Sequence, residues 1–129
     1  MESEAHKQFV QNAVQYIKRT FGLEENQMLI DLGEPGKTPP MVIDGFRADI
    51  YVHTPKYIII GEAKTDNDIN NKHTVAQLSS YIKEVKTFSQ DRHIIMSCSW
   101  SSTRPCGISC AISGNSMICQ ILHSTPLIQ

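Results

Sequence analysis

Hydrophobic positions along this chain follow two periods. Over residues 3 to 21, "SEAHKQFVQNAVQYIKRTF", Phe9, Val10, Ala13, Val14, Ile17 and Phe21 recur at helical spacing and form one stripe. Ser3 suits the N-cap of that helix, and Gly22 its end. "QMLIDL" (27–32) reads as a short strand, and "GEPGKTPP" (33–40) as a loop. The period then drops to two. In "GFRADIYVH" (45–53), Phe46, Ala48, Ile50 and Val52 take one face, while Arg47, Asp49 and Tyr51 take the other. "TPK" turns the chain, and "YIIIGEAK" (57–64) is the return strand of a hairpin. Helical spacing resumes over 70–88, with Val75, Leu78, Ile82 and Val85 as its stripe. "RHIIMSC" (92–98) predicts a buried strand. Residues 102–113 predict a short helix with Pro105 in its first turn and Gly114 past its end, and "SMICQIL" (116–122) predicts a last strand. The order αβββαβαβ predicts an α/β or α+β fold, a mixed β-sheet flanked by helices, with residues 1–129 as a single domain.

The composition narrows this picture only a little. The 129 residues carry a net charge of −1, so no global basic field announces a nucleic-acid partner, although a local patch can still steer one. The start, "MESEAHK", is acidic and polar, unlike a secretory signal. No apolar run approaches the roughly 20 residues of a membrane span. The expectation is a soluble cytoplasmic protein with no membrane partner. Four cysteines, Cys98, Cys106, Cys110 and Cys119, crowd the last third. Their spacing matches no CxxC zinc pattern, so they read as thiols and small buried residues; a helix would bring Cys106 and Cys110 together. Trp100 reads as the edge of the core, and Lys72, Lys83 and Lys86 as a solvated face.

Candidate chemistry sits at the end of the apolar return strand. In "IIIGEAKT" (58–65), Glu62 and Lys64 lie two apart, hence on one side, and charged residues seldom point inward without a partner. Strand parity supplies one. If the hairpin loop holds an even number of residues, Asp49 shares their face. With Thr54 and Pro55 as the loop, Asp49 sits diagonal to Glu62; with a four-residue loop it faces Glu62 directly. An odd loop would separate them. Two close carboxylates repel until their pKa values split or a cation intervenes. Hard oxygen ligands of this kind suit Mg²⁺ or Mn²⁺. Gln77 and Tyr81, one helical turn apart, lie on the shoulder of the following helix's stripe and can face the same cleft.

Asp49, then Glu62-Ala63-Lys64, then Gln77-Leu78-Ser79-Ser80-Tyr81 resembles the PD-(D/E)XK nuclease superfamily, in its RecB-like and lambda-exonuclease-like branch. The resemblance covers residues 3 to 98. It implies a restriction-endonuclease-like fold and a metal-dependent deoxyribonuclease, with Mg²⁺ or Mn²⁺ held by Asp49, Glu62 and the carbonyl of Ala63. Lys64 would be catalytic, and Gln77 and Tyr81 would support the site. The branch often takes a further ligand from a first-helix histidine, which His6 matches in position; Glu4 is the rival, nearer the polar face. Ala48 stands where the family motif has proline. The implied partner is DNA, with RNA not separated from it. No recognition domain is visible, so a homodimer or larger complex is expected to supply specificity.

Two other functions compete. One is a catalytically inactive nucleic-acid-binding module on the same fold. The other is a protein-interaction module whose charges are structural. In the last case Glu62→Ala should destabilise the fold by orphaning Lys64, whereas in a nuclease it should relieve repulsion with Asp49.

Overall fold

The computed structural model describes residues 3–64, 72–99 and 110–124. Helix α1, Glu4–Phe21, begins where the Ser3 side chain accepts from the His6 N–H and ends at Gly22 in the left-handed conformation (φ 66°). A residue with a Cβ is strained there, which is why glycine stops the helix. Its stripe is buried as its spacing predicts, from Phe9 and Val10 through Ala13 and Val14 to Ile17.

Strands β1 (Met28–Ile30), β4 (Ile50–His53), β5 (Tyr57–Ala63), β6 (Asp91–Ser99), β7 (Cys110–Ser113) and β8 (Ser116–Ser124) make a six-stranded sheet in the order β1-β4-β5-β6-β8-β7. It is mixed: β5 and β6 run parallel and every other pair is antiparallel. The parallel pair requires a crossover, supplied by helix α2, Lys72–Val85. The two helices pack on opposite faces. Phe9, Val10, Ala13 and Ile17 of α1 join Ile50, Val52, Ile59, Ala63 and Ile95 in one cluster. Tyr81 and Val85 of α2 join Tyr51, Ile58, Ile60 and Ile94 in the other. Strand alternation thus feeds two cores, and the protein is an α+β layer fold. Among the described residues no helix is long and apolar enough to cross a membrane.

Several expectations need correction. The single strand over 45–53 is broken. Asp44 and Gly45, both at positive φ, turn a separate small hairpin of β2 (Val42–Ile43) and β3 (Phe46–Arg47). An Asp-Gly pair is the turn that such a hairpin favours. The chain then bends at Asp49, so Ala48 packs with Tyr51 on the α2 side rather than with Ile50 and Val52. The stripe of α2 is rotated from the one expected: Thr74, Gln77, Tyr81 and Val85 are buried, while Val75 is 59% exposed. Of the short helix expected over 102–113, residues 102–109 lie outside the described residues, and Cys110–Ser113 is a strand. Gly114 (φ 62°) is therefore a hairpin residue and not a helix stop. The expected order αβββαβαβ therefore fails at Cys110–Ser113, where a strand stands in place of the end of the expected helix. Cys106 and Trp100 also lie outside the described residues.

Candidate functional site

The hairpin register decides who meets whom. β4 and β5 pair Ile50 with Gly61, Tyr51 with Ile60, Val52 with Ile59 and His53 with Ile58. Four residues separate His53 from Ile58, and the Thr54 N–H donates to the Tyr57 carbonyl (2.9 Å) across Pro55 and Lys56. Extending that register by one position sets Asp49 directly opposite Glu62. This is the even-loop arrangement, in its four-residue form. Along β5, Ile58 and Ile60 face α2, so Glu62 does too, and Lys64 continues that side.

Six side chains and two backbone N–H groups converge at this end of the sheet. The Ala63 N–H donates to Asp49 Oδ2 (2.8 Å), and the Asp49 N–H donates to Glu62 Oε2 (3.3 Å). Lys64 Nζ lies 3.9 Å from Glu62 Oε1. From α2, Gln77 Nε2 donates to Glu62 Oε1 (3.0 Å) and to the Tyr81 hydroxyl (3.0 Å), and that hydroxyl reaches Glu62 Oε2 at 3.4 Å. This is why α2 turns its Gln77–Tyr81 face inward: the buried carboxylate needs donors, and a residue at Val75 offers none. From the other face, His6 in the first turn of α1 sets Nε2 3.2 Å from Asp49 Oδ2. Glu4, the rival to His6, is exposed. The strand ends are thus where both helical layers meet the same two acids.

The electrostatics are unrelieved. Glu62 is 6% exposed and Asp49 5%. Burial first, and then the Asp49 carboxylate, push the Glu62 carboxyl up from 4.5 to about 8, against the opposing pull of Lys64 and the hydrogen bonds from Asp49 and Gln77. Burial and then Glu62 raise the Tyr81 hydroxyl above its ordinary 10.0, so it remains a donor. Gln77 Oε1 is buried and has no hydrogen-bond partner among the described residues. With its Nε2 committed to Glu62 and the Tyr81 hydroxyl, the amide leaves its acceptor without a donor among the described residues.

The donor set fits a divalent cation of the hard, oxygen-loving kind. Two opposed carboxylates carry the repulsion such an ion relieves, and Mg²⁺ typically takes one or two carboxylates and keeps several waters. Among the described residues, no three His, Cys, Asp or Glu groups are gathered into a metal-holding cage. His6, Asp49 and Glu62 form a linked chain instead, His6 on Asp49 and Asp49 on Glu62.

One acid at this level escaped the sequence reading. β1 and β4 pair Ile30 with Ile50, so Asp31 is next in register with Asp49, and its N–H donates to the Asp49 carbonyl (2.8 Å). Asp31, Asp49 and Glu62 therefore stand in a row across three neighbouring strands. The signal in the sequence was an acid ending an apolar run, "MLID", the same signal that singled out Glu62. A scan against protein-family models, a search of curated proteins and a search of solved structures each return no match to this chain.

Proposed function

We propose that the protein is a metal-dependent phosphodiester hydrolase acting on DNA, built as a restriction-endonuclease-like nuclease of the PD-(D/E)XK type. The observation that carries this reading is the direct opposition of Asp49 and Glu62 on neighbouring strands, with Lys64 3.9 Å from Glu62. A structural ion pair needs one acid for one base; here two buried acids oppose each other, with Lys64 3.9 Å from Glu62 and His6 3.2 Å from Asp49, and the crowding of like charge costs stability and suits a site kept ready for a cation.

Asp49, Glu62 and the Ala63 carbonyl are the groups that would hold Mg²⁺ or Mn²⁺, with His6 touching the far member of the pair. Bound there, the ion would supply positive charge to a phosphate oxygen and make nearby water more acidic. The chain's own residues do the rest. Gln77 and Tyr81 hold the Glu62 carboxylate by hydrogen bonds to its two oxygens. Lys64, 9% exposed, keeps its side-chain nitrogen beside Glu62, where it orients a water or offsets charge building on the phosphate. The Lys64 N–H donates to the Ser97 carbonyl (2.9 Å), which ties its backbone to β6 and holds the side chain's root in place.

The test is cleavage of linear, circular and single-stranded DNA in Mg²⁺, Mn²⁺ or EDTA, beside Lys64→Ala. Cutting that needs the metal and is lost in the variant supports the enzyme, and the preferred substrate separates attack at ends from internal attack. One observation favours the second reading, an inactive nucleic-acid-binding module: the absence of a three-ligand cage among the described residues. DNA binding that weakens steeply with salt, without cutting under any metal, selects it.

A further inference from the structure

A second reactive constellation lies at the opposite edge of the sheet from β1, and it does not depend on the nuclease reading. Among the described residues β7 is the last strand of the sheet. It pairs with β8 so that Cys110 and Cys119 are direct cross-strand partners, and their Sγ atoms are 2.6 Å apart. Both are thiols. The hairpin turns through Gly114 and Asn115, with Ser113 opposite Ser116. Counting outward from a two-residue turn, Ser113–Ser116 exchanges hydrogen bonds, the next pair does not, and the alternation puts Cys110–Cys119 at a non-hydrogen-bonded position. Cα atoms are closest there, about 4.5 Å apart, which is inside the range a disulfide spans. About half an ångström separates the present contact from the ~2.05 Å of a bond.

Access is asymmetric. Cys119, on an inner strand, is 1% exposed, while Cys110, on the edge, is half-buried. Both lie in an apolar group with Met96, Met117 and Cys98. Cys98 is buried as well and sits opposite Met117, not opposite either of the other thiols. The edge thiol can meet a solvent-borne reagent, and the inner thiol is in place to resolve the product.

We propose that Cys110 and Cys119 are a redox modification site that takes low-molecular-weight disulfides as co-reactant. Cys110 loses its proton to water and attacks one sulfur of the disulfide RSSR, expelling one thiolate RS⁻ and forming a mixed disulfide. Cys119 loses its proton, attacks Cys110 Sγ and expels the second RS⁻. The balance is two protein thiols and one RSSR giving one protein disulfide and two RSH. The oxidised protein carries a bond across β7–β8 that closes a short loop, which restricts the unfolded chain and fastens the edge strand.

The full-length chain is equilibrated in glutathione buffers from fully reduced to fully oxidised, quenched in acid, alkylated under denaturing conditions, and its peptides are mapped by mass. The expected result is loss of two of the four alkylatable thiols, a mass lower by about 2 Da in the intact chain weighed before alkylation, and one linked peptide pair joining Cys110 to Cys119. The melting temperature of the oxidised form should be higher by roughly 3–8 °C. Cys98→Ser should leave the linkage intact and Cys110→Ser should abolish it. Four alkylatable thiols in every buffer, or a linkage made through Cys98 or Cys106, overturns the proposal. The mapping on the wild-type chain decides it even if a cysteine variant fails to fold. The result is read without any cleavage assay, so it stands or falls separately from the nuclease reading.

Discussion

Asn12 on α1 and Glu62 on β5 are nearly equally sealed from solvent, at 7% and 6% exposure, and both sit in networks of side-chain hydrogen bonds. Around Asn12 the direct partners are neutral, and a nearby charge, Arg19, is satisfied by donating to Ser113 Oγ (3.1 Å). Its Nδ2 donates to Asn115 Oδ1 (2.6 Å) and Ser116 Oγ (2.8 Å), its Oδ1 accepts from Gln8, and its carbonyl accepts from Ser113 Oγ. The turn between β7 and β8 is so close that a Cβ on Gly114 would lie 2.6 Å from Asn12 Oδ1. That cluster is complete, and its effect is to fasten a hairpin to a helix. Around Glu62 the partners include a like charge and a lysine 3.9 Å away, and the neighbouring Gln77 Oε1 has no donor among the described residues. Complete neutral networks stabilise; incomplete charged ones cost stability and are kept for something else. The difference between the two regions separates structural polarity from candidate chemistry.

The sharpest way to break that contrast is Lys64→Ala. If the Glu62 cluster is catalytic, metal-dependent DNA cleavage should fall by ~10²–10⁴-fold while the circular dichroism spectrum is unchanged. Equal cleavage by wild type and variant would move Lys64 into the structural class with Asn12.

Next in size is stability against pH. Glu62 has a folded pKa of about 8 against 4.5 unperturbed. A raised carboxyl pKa favours the fold while the carboxyl is protonated in both states, and that contribution disappears as pH climbs from about 4.5 through about 8. In EDTA, wild type should therefore lose stability over that window, and Glu62→Gln should not. At pH 8 the variant should be the more stable by on the order of 2–4 kcal/mol, shrinking toward zero near pH 4.5, as read by denaturant melts. A variant less stable than wild type at pH 8 would make Glu62 a structural acid after all. Adding Mg²⁺ or Mn²⁺ at pH 7 should release protons and raise the melting temperature of wild type but not of Glu62→Gln.

Asn12→Ala should go the other way at all these pH values. Removing its amide strands Ser116, which is 0% exposed, and should cost about 2 kcal/mol without altering metal binding. The smallest effect expected is that of His6→Ala. The His6 side chain is 20% exposed and touches the Asp49 end of the pair, so the loss should be about tenfold in metal affinity, measured by calorimetry, with little change in melting temperature. No change in affinity would place His6 outside the ligand set.

Much of this was legible along the chain. The caps and stripe of α1 were readable because a helix is specified by residues within four positions of one another. Strand parity tied Asp49 and Glu62 to the loop length, on one face for an even loop and on opposite faces for an odd one, and the spacing of Gln77 and Tyr81 put them on one helical face. The Asp44-Gly45 turn was equally readable and was overlooked in favour of an unbroken alternation from Phe46 to Val52. The strand at Cys110–Ser113 was harder. Its four residues carry no period long enough to tell a strand from a helix, and its partner β8 decides the matter.

What the sequence by itself determined is therefore local: where α1 starts and stops, that β5 is buried on both faces, and that an acid, a base and a Gln–Tyr pair stand at workable spacings. Only the tertiary structure decided how α2 is turned, with Val75 outward and Gln77 and Tyr81 inward. It alone set Asp31 in register with Asp49, brought His6 across from α1, and placed Cys110 on Cys119. Each of these is a meeting across strands or layers, between residues from nine to more than forty positions apart. Periodicity tells a side chain which way to face; what it then meets, and how far its charge is from water, is settled only when the sheet closes and both helices pack upon it.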